Sequence, residues 1–491
     1  MVQYKWRVLS NTTVATLMSS IDSNIVLISL PTIGRELPQT NATLLLWILL
    51  GYSLLTAVVL LNFGRLSDMF GRVRLYVLGF AVFTVGSLLC GFSQTGIELV
   101  TFRLVQAVGA GFLFSNSAAI ITDAFPPNER GRALGINQVS IVVGAVSGLV
   151  LGGIITSTIG WRWIFFVNVP IGLVATIRAR SDLRELAKPE SKPRVDWLGN
   201  VIFAGGLTVL LLGVTLGALG QIPDLWAIAA CVVGVVLLGI FVVVESRERS
   251  PMLDLRLFRD RQFTFSALSM LLNALARGAF TFILVFYLQG PPRFLSAFTA
   301  GLFLIPVSAS LATLGPISGW LSDRYGPRPF VILGLLTSAA GFLWLSTIGP
   351  DESFVQLTPP LILVGAGMGL FASPNRAQMM TAAPPARRGV ASGVGTTLLN
   401  TGVTISLGIT LIVMASVLPR SAISAIFLGT VHPGQSFGAA AGFLNSIHLI
   451  FLVSAGLLVV ALIPWLWRSS AHPSPVGGPV ASAPSSSEDG D

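Results

Sequence analysis

Fourteen apolar runs, most of them close to twenty residues long, constrain this chain more than anything else in it. A helix rises about 1.5 Å per residue, so about 20 apolar residues carry it across the hydrocarbon core of a bilayer. The runs fall at 11–33, 43–63, 75–92, 99–121, 133–155, 161–178, 196–217, 224–244, 264–289, 296–319, 329–348, 357–379, 390–415 and 440–467. In lipid each backbone N–H and C=O must find its partner within the protein, which runs of this length achieve as helices. The expected fold class is therefore an all-α polytopic membrane protein with 14 transmembrane helices. Hydrophobic residues make up 53% of the 491 and charged residues only 10%, a balance that excludes a water-soluble globule.

The first run follows Lys5 and Arg7, as a signal peptide would, but it is too long and has no small-residue cleavage site. It is expected to remain as a helix. Cys90 and Cys231 both lie inside apolar runs, with no disulfide or metal-ligand spacing, and no metal site is expected. The formal charge of +9 invites a nucleic-acid reading, but the positions of the charges argue against it. Of the 30 Lys and Arg, Arg103, Arg277 and Arg376 lie within runs, and Arg35, Arg162, Arg293 and Arg420 lie on the side opposite the N-terminus. All the others share the N-terminal side. That is the positive-inside bias, which places both termini in the cytoplasm of a cell (plasma or inner) membrane protein.

The chain also repeats itself. "GRLSDMFGRVRLYVLG" (64–79) returns as "GWLSDRYGPRPFVILG" (319–334), an offset of 255 residues. "GAGFLFSNSAAIITDAFPPNERGRALG" (109–135) is echoed by "GAGMGLFASPNRAQMMTAAPPARRGVASG" (365–393). Four units follow: an N-terminal six-helix bundle (1–178), a linker with two inserted transmembrane helices (179–263), a C-terminal six-helix bundle (264–467) and a polar Pro/Gly/Ser-rich tail (468–491) expected to be disordered. Two parallel repeats related by an axis along the membrane normal are an architecture of alternating-access carriers.

With the duplicated loop in view, the chain resembles the major facilitator superfamily. "GRLSDMFGR" is similar to that superfamily's loop between its second and third helices, and "GWLSDRYGPR" to the copy in the second half. Gly64 and Gly71, with Gly319 and Gly326 in the copy, permit the tight turn and close helix approach. Asp68 at the helix end can pair with Arg72. The resemblance adds Asp123 to that cluster, with Asp323 as the second-half counterpart of Asp68, and implies a cytoplasmic gate that latches the halves in one state. "FRLVQAVGAG" (102–111) resembles the superfamily's fourth-span motif; Arg103 and Gln106 share one helix face, and the resemblance implies that Arg103 takes part in proton coupling. Snorkelling of Arg103 to the interface is the competing reading. "WRWIFFVNVPIG" (161–172), together with fourteen runs, resembles the 14-span drug:proton antiporter branch of EmrB/QacA type. In "GAVSGLVLGG" (144–153), Gly144, Gly148 and Gly152 line one face for close helix packing. Exporters of the family usually carry proline after the second of these glycines; Leu149 stands there, which leaves the direction of transport open.

Charges far inside the runs carry the most information, since a central Asp or Arg costs about 2.5–3.5 kcal/mol on insertion scales. Asp22 lies about midway along the first run, and the repeat offset carries it onto Arg277. The two readings are an acid–base pair across the halves or two independently satisfied polar residues. Asn24, Asn116, Gln138 and Asn273 either line the same substrate cavity or bridge helices. The expected function is proton-coupled export of amphipathic or cationic organic compounds. Asp22 and Arg103 handle the proton in this reading, and no cofactor beyond the coupling proton is expected. The alternatives are a lipid or lipid-conjugate exporter on the same fold and a proton-coupled symporter of an organic anion. No catalytic constellation is present in the sequence, so an enzyme is not expected. The expected partners are the bilayer and a small organic molecule, with the chain working as a monomer.

Overall fold

The computed structural model describes residues 3–126, 129–186, 196–248, 255–291, 293–383, 388–431 and 437–466. The N-terminal half holds α1 (Tyr4–Glu36), α2 (Ala42–Phe70), α3 (Arg72–Phe92), α4 (Gly96–Ala124), α5 (Arg130–Thr158), α6 (Trp163–Phe166) and α7 (Asn168–Asp182). The inserted pair is α8 (Trp197–Ala218) and α9 (Asp224–Arg247). The C-terminal half holds α10 (Arg261–Arg277), α11 (Phe280–Gln289), α12 (Ala297–Phe303), α13 (Ile305–Tyr325), α14 (Pro327–Leu345), α15 (Phe354–Ala382), α16 (Arg388–Val417), α17 (Arg420–Phe427) and α18 (Phe437–Leu466). Fourteen of the resulting segments are long and apolar enough to cross a membrane, among them the joined pairs Trp163–Asp182, Arg261–Gln289 and Ala297–Tyr325. The expected span count is met.

Side chains at the helix starts explain where the spans begin. Asn41 accepts from Leu44 N (2.8 Å), Asp260 from Phe263 N (2.8 Å), and Ser353 forms a reciprocal capping box with Gln356. Gly71 and Gly326 end α2 and α13 at φ +103° and +81°, backbone angles that residues with a Cβ rarely adopt. The repeated loop therefore recurs as a repeated turn.

Hydropathy missed some boundaries. The first helix begins at Tyr4 rather than at residue 11, because Lys5 is held by Glu129 at 2.6 Å and the charged turn stays helical. The runs at 161–178, 264–289 and 296–319 each contain two helices, since a break inside an apolar run leaves its composition unchanged. The short α17 was not expected.

Two features position the site. The first is an asymmetric seal between the halves. The largest apolar cluster draws Ile25–Ile33 of α1, Leu45–Leu50 of α2 and Leu149 of α5 together with Phe280–Leu288 of α11, Phe303 and Phe427. Gln289 Nε2 donates to Ile28 O at 2.8 Å, and the tight α5–α12 approach leaves no room for a Cβ on Gly153 or Gly301. These contacts lie toward the face away from the termini. On the terminal face the apolar clusters among the described residues stay within one half: Tyr76, Phe80 and Phe83 in the first, Leu257, Phe263 and Met379 in the second.

The second feature is the place of the inserted hairpin. Phe203, Leu207 and Leu211 of α8 pack on Leu54 and Val58 of α2 and on Ile405 of α16, so the pair covers the seam where α2 meets α16. Trp47 Nε1 donates to Thr215 Oγ1 at 3.3 Å, and Asp224 pairs with Arg420. Most of α9 points its Val and Ile side chains outward, as a lipid-facing helix would.

Candidate functional site

The buried polar centre lies in the N-terminal half. Asp22, fully buried on α1, has both carboxylate oxygens occupied. Oδ2 accepts from Arg103 Nη1 at 2.6 Å; Oδ1 accepts from Gln106 Nε2 at 2.8 Å and from Asn168 Nδ2 at 2.9 Å. Arg103 Nη1 also donates to Gln106 Oε1 at 2.7 Å, which the three-residue spacing on α4 permits. The guanidinium stands 4.1 Å over the Tyr52 ring and 5.9 Å from the Phe165 ring, leaving Nε and Nη2 without hydrogen bonds. Asn168 Nδ2 lies 3.2 Å from Ser87 Oγ, which donates to Phe165 O at 2.9 Å. Five helices thus converge on one carboxylate: α1, α2, α3, α4 and α7.

Backbone approach makes this convergence possible. A Cβ on Gly86 would sit 2.7–2.9 Å from Gln106, so α3 and α4 touch there only because residue 86 has no side chain. On the other side of α1, a Cβ on Gly144, Gly148 or Gly152 would collide with Leu17 O, Ile21 O or the side chains of Ile25 and Ile28. That glycine face seats α5 along the helix that carries Asp22. Helix α5 runs unbroken past Leu149, in keeping with the missing proline.

Arg103 is 1% exposed, so it does not snorkel; it turns inward to Asp22. Asp22 faces its own half in this conformation, and its ion pair is with Arg103, not with Arg277. The pseudo-equivalent Arg277 ends α10 and makes no ion pair or hydrogen bond among the described residues. Asn24 and Asn116 both donate back to their own helices, to Ser20 O and Phe112 O. Asn273 is buried with Nδ2 unbonded. The side chain of Gln138 lies outside the described residues; its neighbour Asn137 donates to Thr16 Oγ1 at 3.0 Å. Sequence reasoning missed Asn168, Tyr52 and Ser87. Asn168 had a signal, as a polar residue within "WIFFVNVP", whereas nothing in the sequence marks Tyr52 or Ser87.

A second polar group lies on the terminal face. Arg72 Nη1 contacts both oxygens of Asp123 at 2.8 Å. Glu185 accepts the Arg72 and Val73 N–H groups at 2.9 Å each, capping α3 where the helix dipole favours an anion. In the sequence Glu185 is one charge among several between 178 and 194, with nothing to mark this role. The surroundings of Gly64 and the side chain of Asp68 lie outside what is described. The described bonds of this cluster join α3 to the end of α4 and to the start of the linker after α7. In the copy, Gly326 repeats the turn, but Asp323 is exposed with no ion pair among the described residues, and Gly319 abuts Ser373. Among the described residues the turn is duplicated and the Arg72–Asp123 pair is not.

Fold and site together define a class: membrane carriers built from two parallel six-helix repeats around a common seam. The chain belongs to the Major Facilitator Superfamily, whose sequence pattern matches residues 12–408. It is 32% identical over 407 residues to the riboflavin transporter RibZ of Clostridioides difficile (strain 630), covering 81% of this chain and 86% of that protein. It is 30% identical over 404 residues to multidrug resistance protein 3 of Bacillus subtilis (strain 168), covering 80% and 76%. Among solved structures, the POT family transporter PepTSo superposes with a TM-score of 0.65 at 15% identity, covering 94% of this chain and 99% of that one. The chain is a multi-pass membrane transporter.

Proposed function

We propose that this transporter exports amphipathic organic compounds in exchange for protons, by alternating access, with Asp22 as the proton carrier and Arg103 as its counter-charge. The observation that carries the reading is the buried Asp22–Arg103 pair, whose carboxylate accepts three hydrogen bonds. An ionised carboxylate at that depth depends on the guanidinium beside it. A proton arriving on Asp22 cancels the pair, frees Arg103 and lets α1 and α4 take a second arrangement. Loss of the proton restores the pair and the arrangement seen here. Gln106 and Asn168 hold the carboxylate in place through the cycle.

The positive-inside bias makes the terminal face cytoplasmic. The seal of α1, α2, α5 and α11 then closes the outer side, and the conformation is inward-facing. In this state Asp22 is paired with Arg103, ready for a cycle in which outside protons enter after the seal opens. Each entering proton contributes about 2.3 kcal/mol per 100 mV of potential, in addition to the pH gradient. The Arg72–Asp123–Glu185 cluster is the cytoplasmic gate in its released state, holding the α2–α3 turn, the end of α4 and the tail of α7 as one body.

The multidrug transporter relatives support export of organic compounds. The test is substrate-driven proton movement in proteoliposomes, read by a lumenal pH dye with a panel of aromatic anions, neutral compounds and cations as trial substrates. Wild type is expected to move protons only with substrate present. Asp22→Asn is expected to lose proton movement while still exchanging labelled substrate down its own gradient. Proton-coupled flux in Asp22→Asn equal to wild type would remove Asp22 from the mechanism.

A further inference from the structure

The two halves differ most at the position the repeat makes equivalent. Asp22 is neutralised within its own half. Aligning the GAG segments at 109 and 365 puts Pro359 where Arg103 stands and Ile362 where Gln106 stands, so the second half has no matching group. Between residues 264 and 467 the only acids are Asp323, Asp351 and Glu352, all near helix ends or in loops. Arg277 therefore has no carboxylate of its own half at its depth. Its Nε is buried and unbonded, and Asn273, one turn earlier on the same face, is 1% exposed with Nδ2 unbonded. Arg376 on α15 is likewise without an ion pair among the described residues, bonding instead to Thr396 Oγ1 at 3.1 Å.

The surroundings of Arg277 place it beside the seal between the halves. Helix α10 stops at Arg277 and α11 begins at Phe280. The break is fixed to α16, with Ala279 N donating to Ser406 Oγ at 3.0 Å and Gly278 pressed against Val403 and Ser406. Beyond the break, α11 is almost wholly buried in the inter-half seal. Ala274 and Gly278 face α16, and Ser269 faces α18. Arg277, Asn273 and Ser266 share a different face, and Ser266 O accepts from Asn375 of α15. Interrupted helices near mid-membrane are where carriers of this architecture present groups to their cargo.

We propose that Arg277 and Asn273 anchor an anionic group of the transported compound, and that the cargo class is amphipathic organic anions, an aromatic or apolar body bearing a carboxylate or phenolate. The proposal rests on the carrier reading above but not on its proton coupling. An incoming carboxylate accepts from the guanidinium and from Asn273 Nδ2, satisfying donors that the protein itself leaves unbonded. A lipophilic cation meets the unneutralised Arg277 here and no acid of the same half. The apolar body of the cargo rests against the α1 and α11 seal residues.

The test uses two dyes with one xanthene ring system and opposite charge, fluorescein and rhodamine 123, titrated against the full chain in zwitterionic nanodiscs by fluorescence polarisation. Wild type is expected to bind fluorescein about ten-fold or more tighter than rhodamine 123, the scale of one charge-assisted contact. Arg277→Gln is expected to lose that preference with rhodamine 123 binding unchanged, Arg277→Lys to keep part of it, and Asn273→Ala to weaken fluorescein by a few-fold. A wild type that does not bind fluorescein, or that binds both dyes equally, overturns the proposal. So does an equal loss for both dyes in Arg277→Gln, or a dye preference that Arg277→Gln leaves intact. If Arg277→Gln does not fold, Arg277→Lys and Asn273→Ala decide: a preference undiminished in both overturns it. Binding is read without a gradient, so failure of the proton reading leaves this result untouched.

Discussion

At the scale of single residues, the chemistry is concentrated in Asp22 and Arg103. Removing one partner of a buried ion pair leaves the other charge stranded, a loss of about 3–5 kcal/mol, whereas replacing both with apolar groups is often close to neutral. Asp22→Ala is therefore expected to lower thermal stability sharply, and Asp22→Ala with Arg103→Leu to recover most of it, measured by melting in detergent. Asp22→Asn keeps the shape and an oxygen for the Asn168 and Gln106 contacts but strands the Arg103 charge, so it is expected to lose coupling while costing less stability than Asp22→Ala. Arg103→Lys retains the charge but not the Tyr52 stacking or the second bond to Gln106, and its proton-driven flux is expected to fall about ten-fold or more. Unchanged flux in that variant would count against the geometry described for the pair. Asp22 and Arg103 were legible in the sequence because a charge in an apolar run is costly. Their pairing was not, because the repeat offers Asp22 a partner in the other half and only the packing of α1 against α4 chooses between the two.

Among the elements, close approach decides which helices can meet. Gly86→Val is expected to push α4 off α3 at Gln106, destabilising the fold by about 1–3 kcal/mol and uncoupling transport together. Gly148→Leu should do the same to the α1–α5 contact; a stable, fully active variant would show that α5 can retreat. On the terminal face, Glu185→Ala frees two N–H groups at the start of α3, a loss of about 0.5–1 kcal/mol. Its turnover is expected to slow with substrate affinity unchanged, as for a hinge and not a binding residue. The glycine face of α5 was readable from its four-residue spacing. Glu185 was not, because a carboxylate in a charged linker looks solvated until the fold brings it to a helix start.

For the whole molecule, the seal between the halves sets the conformation, and it is built almost entirely of apolar contacts with Gln289–Ile28 as the hydrogen bond across it. Gln289→Leu removes that bond and is expected to shift the population toward the outward-open state. Spin labels at exposed positions in the two halves, on the side away from the termini, would then show longer distances. An unchanged distance distribution would mean that packing alone holds the seal. The inserted pair covers one seam between the halves, α2 with α16, whereas α5 meets α12 and α13 at the other.

The sequence by itself determined the number of spans, the duplication of the halves and the family, because bilayer thickness and backbone satisfaction leave a long apolar run one outcome. Tertiary structure alone decided that Asp22 pairs within its own half, that Glu185 caps α3 and that three spans break. Each depends on which helix faces meet. That depends in turn on glycine-permitted approach and side-chain packing, which a pattern of hydropathy does not encode.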